Sequence, residues 1–383
     1  MNKNNFGIYI HIPFCMSKCS YCSFISKCAS EEEIAKYFEY LNKQIMQEAY
    51  KFKDKKVTSI YFGGGTPSFV DSKYIVDVLD LIKSLFCIAE TCEISIECNP
   101  CSITLEKLKD YKNAGINRIS FGIQSLSDDI LPILGRKHKA KQALNAIRIA
   151  QDCGFDNISA DLLIGIPNQT VEILKNDLRI LINTGVKHIS AYMLMLEENT
   201  KLYEQVVINK SLKVASDDEC VNMYNDAYIL LKKNGINRYE ISNFSYPGFE
   251  CKHNLNYWQC GEYVGFGLSA YSFYDNKRID GFANFEDYYK NVDCGNPFPK
   301  TEKLSKEQKI EEYIMLGLRT ADGVNLNTLK TLGYDILFER ADLINLYIKN
   351  NIIRLENNRI SICDNMFGAS NQIIVDLLPW ILY

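Results

Sequence analysis

Along the first half of the chain, short apolar runs alternate with amphipathic stretches. Gly7–Ile12, Val57–Phe62, Glu93–Cys98, Arg118–Ile123, Asn157–Ile164 and His188–Leu196 are rich in Ile, Phe, Tyr and Val and are bounded by turn residues, which predicts six strands. Between them apolar positions recur at helical spacing, as with Ile75, Val78, Leu79, Ile82 and Leu85, or Leu174, Leu178 and Leu181. Gly115, Gly154 and Gly185 each close helical text just before a strand, as C-terminal caps do. Six such units in a row predict an α/β fold: a parallel sheet with helices outside. Right-handed crossovers curl it into a full or partial barrel, a (β/α)6 arrangement.

Barrels of this kind gather their chemistry at the C-terminal ends of the strands. The unusual residues fall there: HIPFC after the first strand, GGGTPS after the second, ECNP, QS, GIPNQT and EENT after the rest. Beyond residue 200 the rhythm changes. Asp217–Lys233 reads as a helix, RYEISNFSYPG as a strand and turn, and 251–294, rich in Gly, Tyr and Phe, as irregular. From Ser305 a helix, a GVNLNTL step, a second helix and the hairpin pattern IIRLENNRISI, with Asn357-Asn358 at its turn, predict a small winged-helix-like tail. The expected division is 1–200 for the barrel, 201–300 for an extension and 301–383 for the tail, giving a smaller α+β C-terminal part.

With 383 residues, 47% of them hydrophobic, the chain can bury one large core and a smaller one. A formal charge of -4 and a tail that is not basic argue against nucleic acid as a partner. The opening MNKNNFGIYIHIPFC lacks the pattern of a secretory signal, and no run of about 18 apolar residues predicts a membrane span. A cytoplasmic location is expected, and the 14 Cys then read as reduced thiols. Cys87, Cys92, Cys153, Cys220 and Cys363 are expected to pack as small hydrophobes.

Cys15, Cys19 and Cys22 are different. Their Cys-x3-Cys-x2-Cys spacing lies in the loop leaving the first strand. A 4Fe-4S cube is normally held by four thiolates, so three close ones leave one iron open to a small chelating ligand. Structural zinc wants four closed ligands, usually as two spaced pairs, and no second pair follows. His11 is a thinkable fourth ligand, but a half-buried strand residue is the simpler reading. Gly63-Gly64-Gly65-Thr66-Pro67 offers close backbone approach and N–H donors, and it is not a phosphate loop because no GK[ST] follows. Glu97, Gln124 and Asp161 read as strand ends, and Arg136 can fork onto a carboxylate.

IYIHIPFCMSKCSYCSF resembles the signature loop of the radical S-adenosylmethionine (SAM) superfamily. More narrowly it resembles the branch containing oxygen-independent coproporphyrinogen III dehydrogenase and the HemW-type heme chaperones. The resemblance runs from Ile8 to the tail. It implies a cluster on the three Cys, SAM chelating the fourth iron, and reductive cleavage of SAM to a 5'-deoxyadenosyl radical, with an electron donor for the cluster. It also implies that Tyr9, Gly64 and Glu97 contact SAM. Tyr21, Gly65, Thr66, Gln124, Arg136 and Asp161 match positions around a second SAM, although one SAM is expected here.

Several features separate the branches. The dehydrogenase carries a further Cys two positions after its third ligand, where this chain has Phe24, and a long extension before the cluster loop. HemW-like proteins read Cys-Asp-Phe, where this chain has Ser23. YEISNFSYPGFECKHNLNYW matches the HemW-like pattern, whose HNxxYW segment is implicated in heme binding. That makes His253 a candidate heme ligand. Cys251 is an alternative, as is Tyr271, which stands where the family has His. The resemblance therefore implies a heme chaperone that hands heme to acceptor proteins, with peripheral contact to respiratory proteins conceivable. The alternative is oxidative decarboxylation of coproporphyrinogen III, which the branch features do not favour.

Overall fold

The computed structural model describes residues 6–298 and 300–379. Six parallel strands form its centre: β1 (Phe6–Ile12), β2 (Lys56–Gly64), β3 (Cys87–Cys98), β4 (Arg118–Gln124), β5 (Asn157–Ile164) and β6 (His188–Met193). Each pairs in parallel with the next. The crossovers carry α1 (Glu31–Glu48), α2 (Ser72–Leu85), α3 (Leu105–Asn113), α4 (Ala140–Asp152) and α5 (Val171–Thr184). Ser30, Asp71, Thr104 and Thr170 cap four of these helices through their side chains. Gly115, Gly154 and Gly185 adopt the left-handed backbone expected of them.

The strands alternate, with Leu163 of β5 an apolar residue on the inward face. Ile8, Ile10 and Ile12 of β1, Ile60 and Phe62 of β2, Ile119 and Phe121 of β4, and Ile158, Ala160 and Leu162 of β5 are fully buried on one face. The other face carries Tyr9 and His11, Ser59 and Tyr61, Ser95 and Glu97, Arg118 and Ser120, Ser159 and Asp161, and His188 and Ser190. Period-two alternation sends the apolar set under the helices and the polar set into the barrel.

The sheet does not close on itself. β1 pairs in parallel with Glu262–Phe266 on its outer side, and β6 pairs antiparallel with Asn243–Ser245. This corrects the expectation of irregular structure over 251–294. That stretch holds the helix Lys252–Trp258, the strand Glu262–Phe266, the hairpin strands Ser272–Tyr274 and Lys277–Ile279, and the helix Phe285–Asp293. Its elements are too short for periodicity to declare them. Gly265 also interrupts the apolar strand pattern, because a Cβ there would stand 2.2 Å from the Tyr271 carbonyl oxygen. Cys87, expected to be packed away, is exposed at the first position of β3.

The tail contains the helices Lys306–Gly317, Leu326–Leu332 and Ala341–Lys349 and a three-stranded sheet with Arg359–Ile362 in the middle. Asn357 and Asn358 take φ of 50° and 60°, the backbone a tight type I′ hairpin requires. One buried cation ties the tail to the rest. Arg238 lies 3.4 Å from the Phe367 ring centroid, and its Nη2 donates to Asp364 Oδ1 at 3.0 Å. Tyr228 also donates to Asp364, at 2.7 Å. Arg238→Ala should remove the buried guanidinium and its ring stacking, leaving Asp364 to Tyr228, Lys232 and Arg354, and cost about 2 kcal/mol in urea unfolding. Arg238→Lys should recover less than half of that loss, because an ammonium cannot reproduce the fork and the ring stacking.

Candidate functional site

The loops that follow the strands enclose a cavity of about 420 Å³. Cys15, Cys19 and Cys22 line it together with Tyr21, Gly64, Gly65, Thr66, Glu97, Gln124, Arg136 and Asp161. Of the residues expected at the site, Tyr9 is placed elsewhere. It sits on β1 among the inward aromatics, its hydroxyl 3.1 Å from His11 Nδ1 and its ring stacked on Tyr61. Asp161 lies within β5 rather than at its end.

The thiol loop is strapped down on both sides. Cys15 N–H donates to Lys27 O at 3.0 Å and Lys27 N–H to Pro13 O at 2.9 Å. Ser20 N–H donates to Leu134 O at 2.9 Å, while Ser20 O accepts from Leu202 N–H at 2.7 Å. The glycine loop after β2 is clasped to the same segment, through Gly65 N–H to Ile12 O and Thr66 N–H to Phe14 O, both 2.9 Å. A Cβ on Gly65 would meet Phe14 O at 2.8 Å. One on Gly64, at φ 109°, would meet the His11 ring at 2.6 Å. Glycine is required at Gly65 by the approach of a second backbone and at Gly64 by the His11 ring and the left-handed φ.

Cys15 Sγ lies 3.4 Å from Thr66 Oγ1, and Arg136 Nη1 donates to Cys19 Sγ at 3.6 Å. Burial pushes the Cys15 and Cys22 thiols above their ordinary range. Arg136 Nη2 donates to Gly122 O, and its Nε is buried without a partner. Among the described residues, no group of three His, Cys, Asp or Glu side chains is arranged to hold a single metal ion. Three thiols standing around one cavity suit a polynuclear cluster, in which each thiolate takes a different iron, better than a closed zinc tetrahedron. A guanidinium beside Cys19 suits the negative charge such a thiolate cluster carries.

Deeper in the cavity the strands supply carboxylates. Glu97 accepts from Tyr61 OH at 2.9 Å and from Gly64 N–H at 3.3 Å. Burial, then the nearby Asp161, push the Glu97 carboxyl up to about 7. Asp161 accepts from Ser120, Ser159 and Ser190 at 2.7–3.2 Å, and burial raises it as well. Sequence reasoning missed the serine row and Arg118, whose side chain is 2% exposed, lines the cavity and leaves Nε without a partner. The signal was present in RISFGIQ, a strand whose alternate residues are polar.

His253 is not at the cavity. It is 1% exposed, with Nδ1 2.9 Å from Ser59 Oγ and Nε2 2.7 Å from Tyr257 OH, and its ring stacks on Tyr61. Burial, with Arg118 second, lowers it to about 3. Glu93 caps its short helix, accepting from Lys252 N–H at 3.1 Å and His253 N–H at 3.2 Å. His253, expected as a candidate heme ligand, has both ring nitrogens in hydrogen-bonding contact with side chains, Ser59 and Tyr257. Cys251 is fully buried against Glu93, and Tyr271 is exposed away from the cavity lining.

A partial parallel barrel with a thiol loop after β1 and a glycine loop after β2 defines a radical SAM protein. Residues 9–181 match the family model of the radical SAM superfamily, and residues 304–364 match that of the HemN C-terminal domain. Membership of this superfamily implies a 4Fe-4S cluster and SAM. The chain is 34% identical over 319 residues to the heme chaperone HemW of Bacillus subtilis (strain 168), covering 83% of this chain and 84% of the relative. It is 32% identical to the HemW of Lactococcus lactis subsp. lactis (strain IL1403), covering 97% and 96%. The chain belongs to the HemW family. Its fold is that of coproporphyrinogen III oxidase (HemN) from Escherichia coli, with a TM-score of 0.85 at 20% identity over 99% of this chain and 91% of that one.

Glu97 gives a pH signature. Its folded-state carboxyl, raised from 4.5 to about 7, binds a proton across a window where the unfolded chain has released it. Stability therefore falls as pH rises from about 4.5 to about 7 and levels off above. Glu97→Gln should flatten that part of the profile in urea unfolding of the apoprotein. An unchanged slope would remove Glu97 as its source.

Proposed function

We propose that this chain is a heme chaperone that carries a SAM-coordinated 4Fe-4S cluster, binds heme and transfers it to acceptor proteins. The observation that carries the reading is the kinship with heme chaperones over nearly the whole chain, 97% of it for the Lactococcus relative. The cavity supports the cluster part. Cys15, Cys19 and Cys22 would hold three irons, and the fourth would take SAM. When bound, the cluster supplies one-electron chemistry on SAM, given an external electron donor. The protein's own part is positioning. Thr66 and Arg136 hydrogen-bond the Cys15 and Cys19 sulfurs, the glycine loop lets a ligand approach the backbone, and Glu97 and Asp161 face it with carboxylates. A cationic amino group or sulfonium is stabilised there, and a ribose hydroxyl finds an acceptor. One SAM is expected, and the cytoplasm is the expected site of action. Among the described residues no helix is long and apolar enough to cross a membrane.

The rival is oxygen-independent coproporphyrinogen III dehydrogenation. The shared fold does not choose between the two. Phe24, 64% exposed, stands where the resemblance puts a further Cys in the dehydrogenase.

Anaerobic reconstitution tests the proposal. The wild type should take up a 4Fe-4S cluster whose spectrum changes with SAM, and a triple Cys15→Ser, Cys19→Ser, Cys22→Ser variant should lose the bound iron. The wild type should bind one hemin and pass it to an apo-hemoprotein reporter. It should leave coproporphyrinogen III unconverted in the presence of SAM and reductant. Conversion, or no hemin binding, would overturn the chaperone reading.

A further inference from the structure

The segment that carries Cys15 is held between two extended neighbours. Phe14 and Lys27 form a parallel bridge, in which Lys27 N–H donates to Pro13 O at 2.9 Å and Cys15 N–H donates to Lys27 O at 3.0 Å. On the opposite side Thr66 N–H donates to Phe14 O. One step beyond the bridge, Cys15 stands opposite a fourth thiol, Cys28. Parallel neighbours lie about 4.8 Å apart, and residues in register point to the same face. A disulfide joins residues whose Cα atoms are roughly 4.4–6.8 Å apart, so the pair is within its reach.

The Cys28 side chain turns toward the thiol loop. Its Sγ donates at 3.3 Å to Met16 O, the carbonyl that follows Cys15. Burial pushes the Cys15 thiol up, and the neighbouring Cys19 and Cys28 thiols add to that. Cys15, Cys19 and Cys22 line the SAM cavity, whereas Cys28 stands outside its lining. Cys28 is exposed and Cys15 half-buried. Cys28 is therefore the solvent-facing companion of one cluster ligand, and it is not placed to take an iron of its own. An exposed thiol is the first of such a pair to meet an oxidant, and the sulfur beside it can resolve the product.

We infer that Cys28 is a redox-modification site, which under peroxide forms a reversible disulfide with Cys15 in the apoprotein. Peroxide first oxidises the Cys28 thiol to a sulfenic acid and releases one water. The Cys15 sulfur then attacks the Cys28 sulfur, the S–S bond forms, the S–O bond breaks and a second water leaves. Peroxide has taken two electrons, and both thiol protons end in water. A dithiol reductant returns two electrons and two protons and restores the pair. While the bridge stands, only Cys19 and Cys22 of the triplet are free, so a cluster cannot assemble. The bridge also holds Cys15 below the irreversible sulfinic acid. This consequence rests on the cluster reading above, while the bridge itself rests on the two paired segments.

Trypsin separates the thiols concerned. Cys15 falls in peptide 4–18, Cys19 and Cys22 in 19–27, and Cys28 in 28–36. The full-length apoprotein is treated with one equivalent of hydrogen peroxide, its remaining thiols are alkylated, and the digest is read by mass spectrometry. Peptide 4–18 should be found joined to 28–36. Reconstitution with iron and sulfide, without added thiol, should then fail, and dithiothreitol should restore it. Cys28→Ser should take up as much iron as wild type before peroxide and keep that capacity after it. A fully alkylated 28–36, or its joining to any peptide other than 4–18, overturns the inference. So does loss of iron uptake by Cys28→Ser without peroxide, which would make Cys28 a ligand. If the untreated wild type takes up no cluster, the cluster reading fails, and the peptide map still decides the bridge.

Discussion

The constraint that organises this molecule is the inward polar face of its barrel. Parallel strands under helices ordinarily bury apolar residues on both faces. Here alternate positions of β2 to β6 carry Ser59, Ser95, Ser120, Ser159 and Ser190, and with them Tyr61, Glu97, Arg118, Asp161 and His188. Buried polar groups are costly unless they are hydrogen-bonded, and several find neighbours across the strands. Asp161 draws in three serines, Glu97 takes Tyr61 and the Gly64 amide, and His188 spans Ser159 and Tyr239. The groups left over, Ser95 Oγ and Arg118 Nε, mark where the interior is still short of partners.

The same constraint explains the motif beneath the barrel. The helix Lys252–Trp258 is held on the buried Glu93 carboxylate, and His253 reaches from it to Ser59 while stacking on Tyr61. Gly7 leaves space for it: a Cβ there would stand 3.3 Å from the His253 ring. HNLNYW thus packs as part of the polar core. The chemistry of the other end belongs to loops strapped to one another by backbone hydrogen bonds, and these loops carry the three thiols.

Much of this was legible in the sequence. Five of the six strands lie within three residues of their expected bounds, β3 begins at Cys87 rather than at Glu93, and the helix Asp217–Lys233 and the Asn357-Asn358 hairpin turn lie where caps and turn chemistry put them. These are local signals, written in residues close in the chain. The thiol triplet was equally local. The failures were of another kind. The strand Glu262–Phe266 owes its existence to pairing with β1, a partner some 250 residues earlier, and nothing within EYVGF announces it. The contacts of His253 depend on Ser59 and Tyr61, which are also far away in the chain, Ser59 by 194 residues. Reading β4 as an apolar strand hid the alternation that would have exposed Arg118.

The position of β1 carries a consequence for synthesis. It leaves the ribosome some 250 residues before Glu262–Phe266, yet it ends in the middle of the sheet, between β2 and that strand. Until residue 266 has emerged, one backbone edge of this very apolar strand has no native neighbour. A nascent chain in that state offers a ready template for pairing with other chains. The barrel's opening strand is therefore the element most in need of shelter during translation, and stalling or truncation before that point leaves an aggregation-prone product.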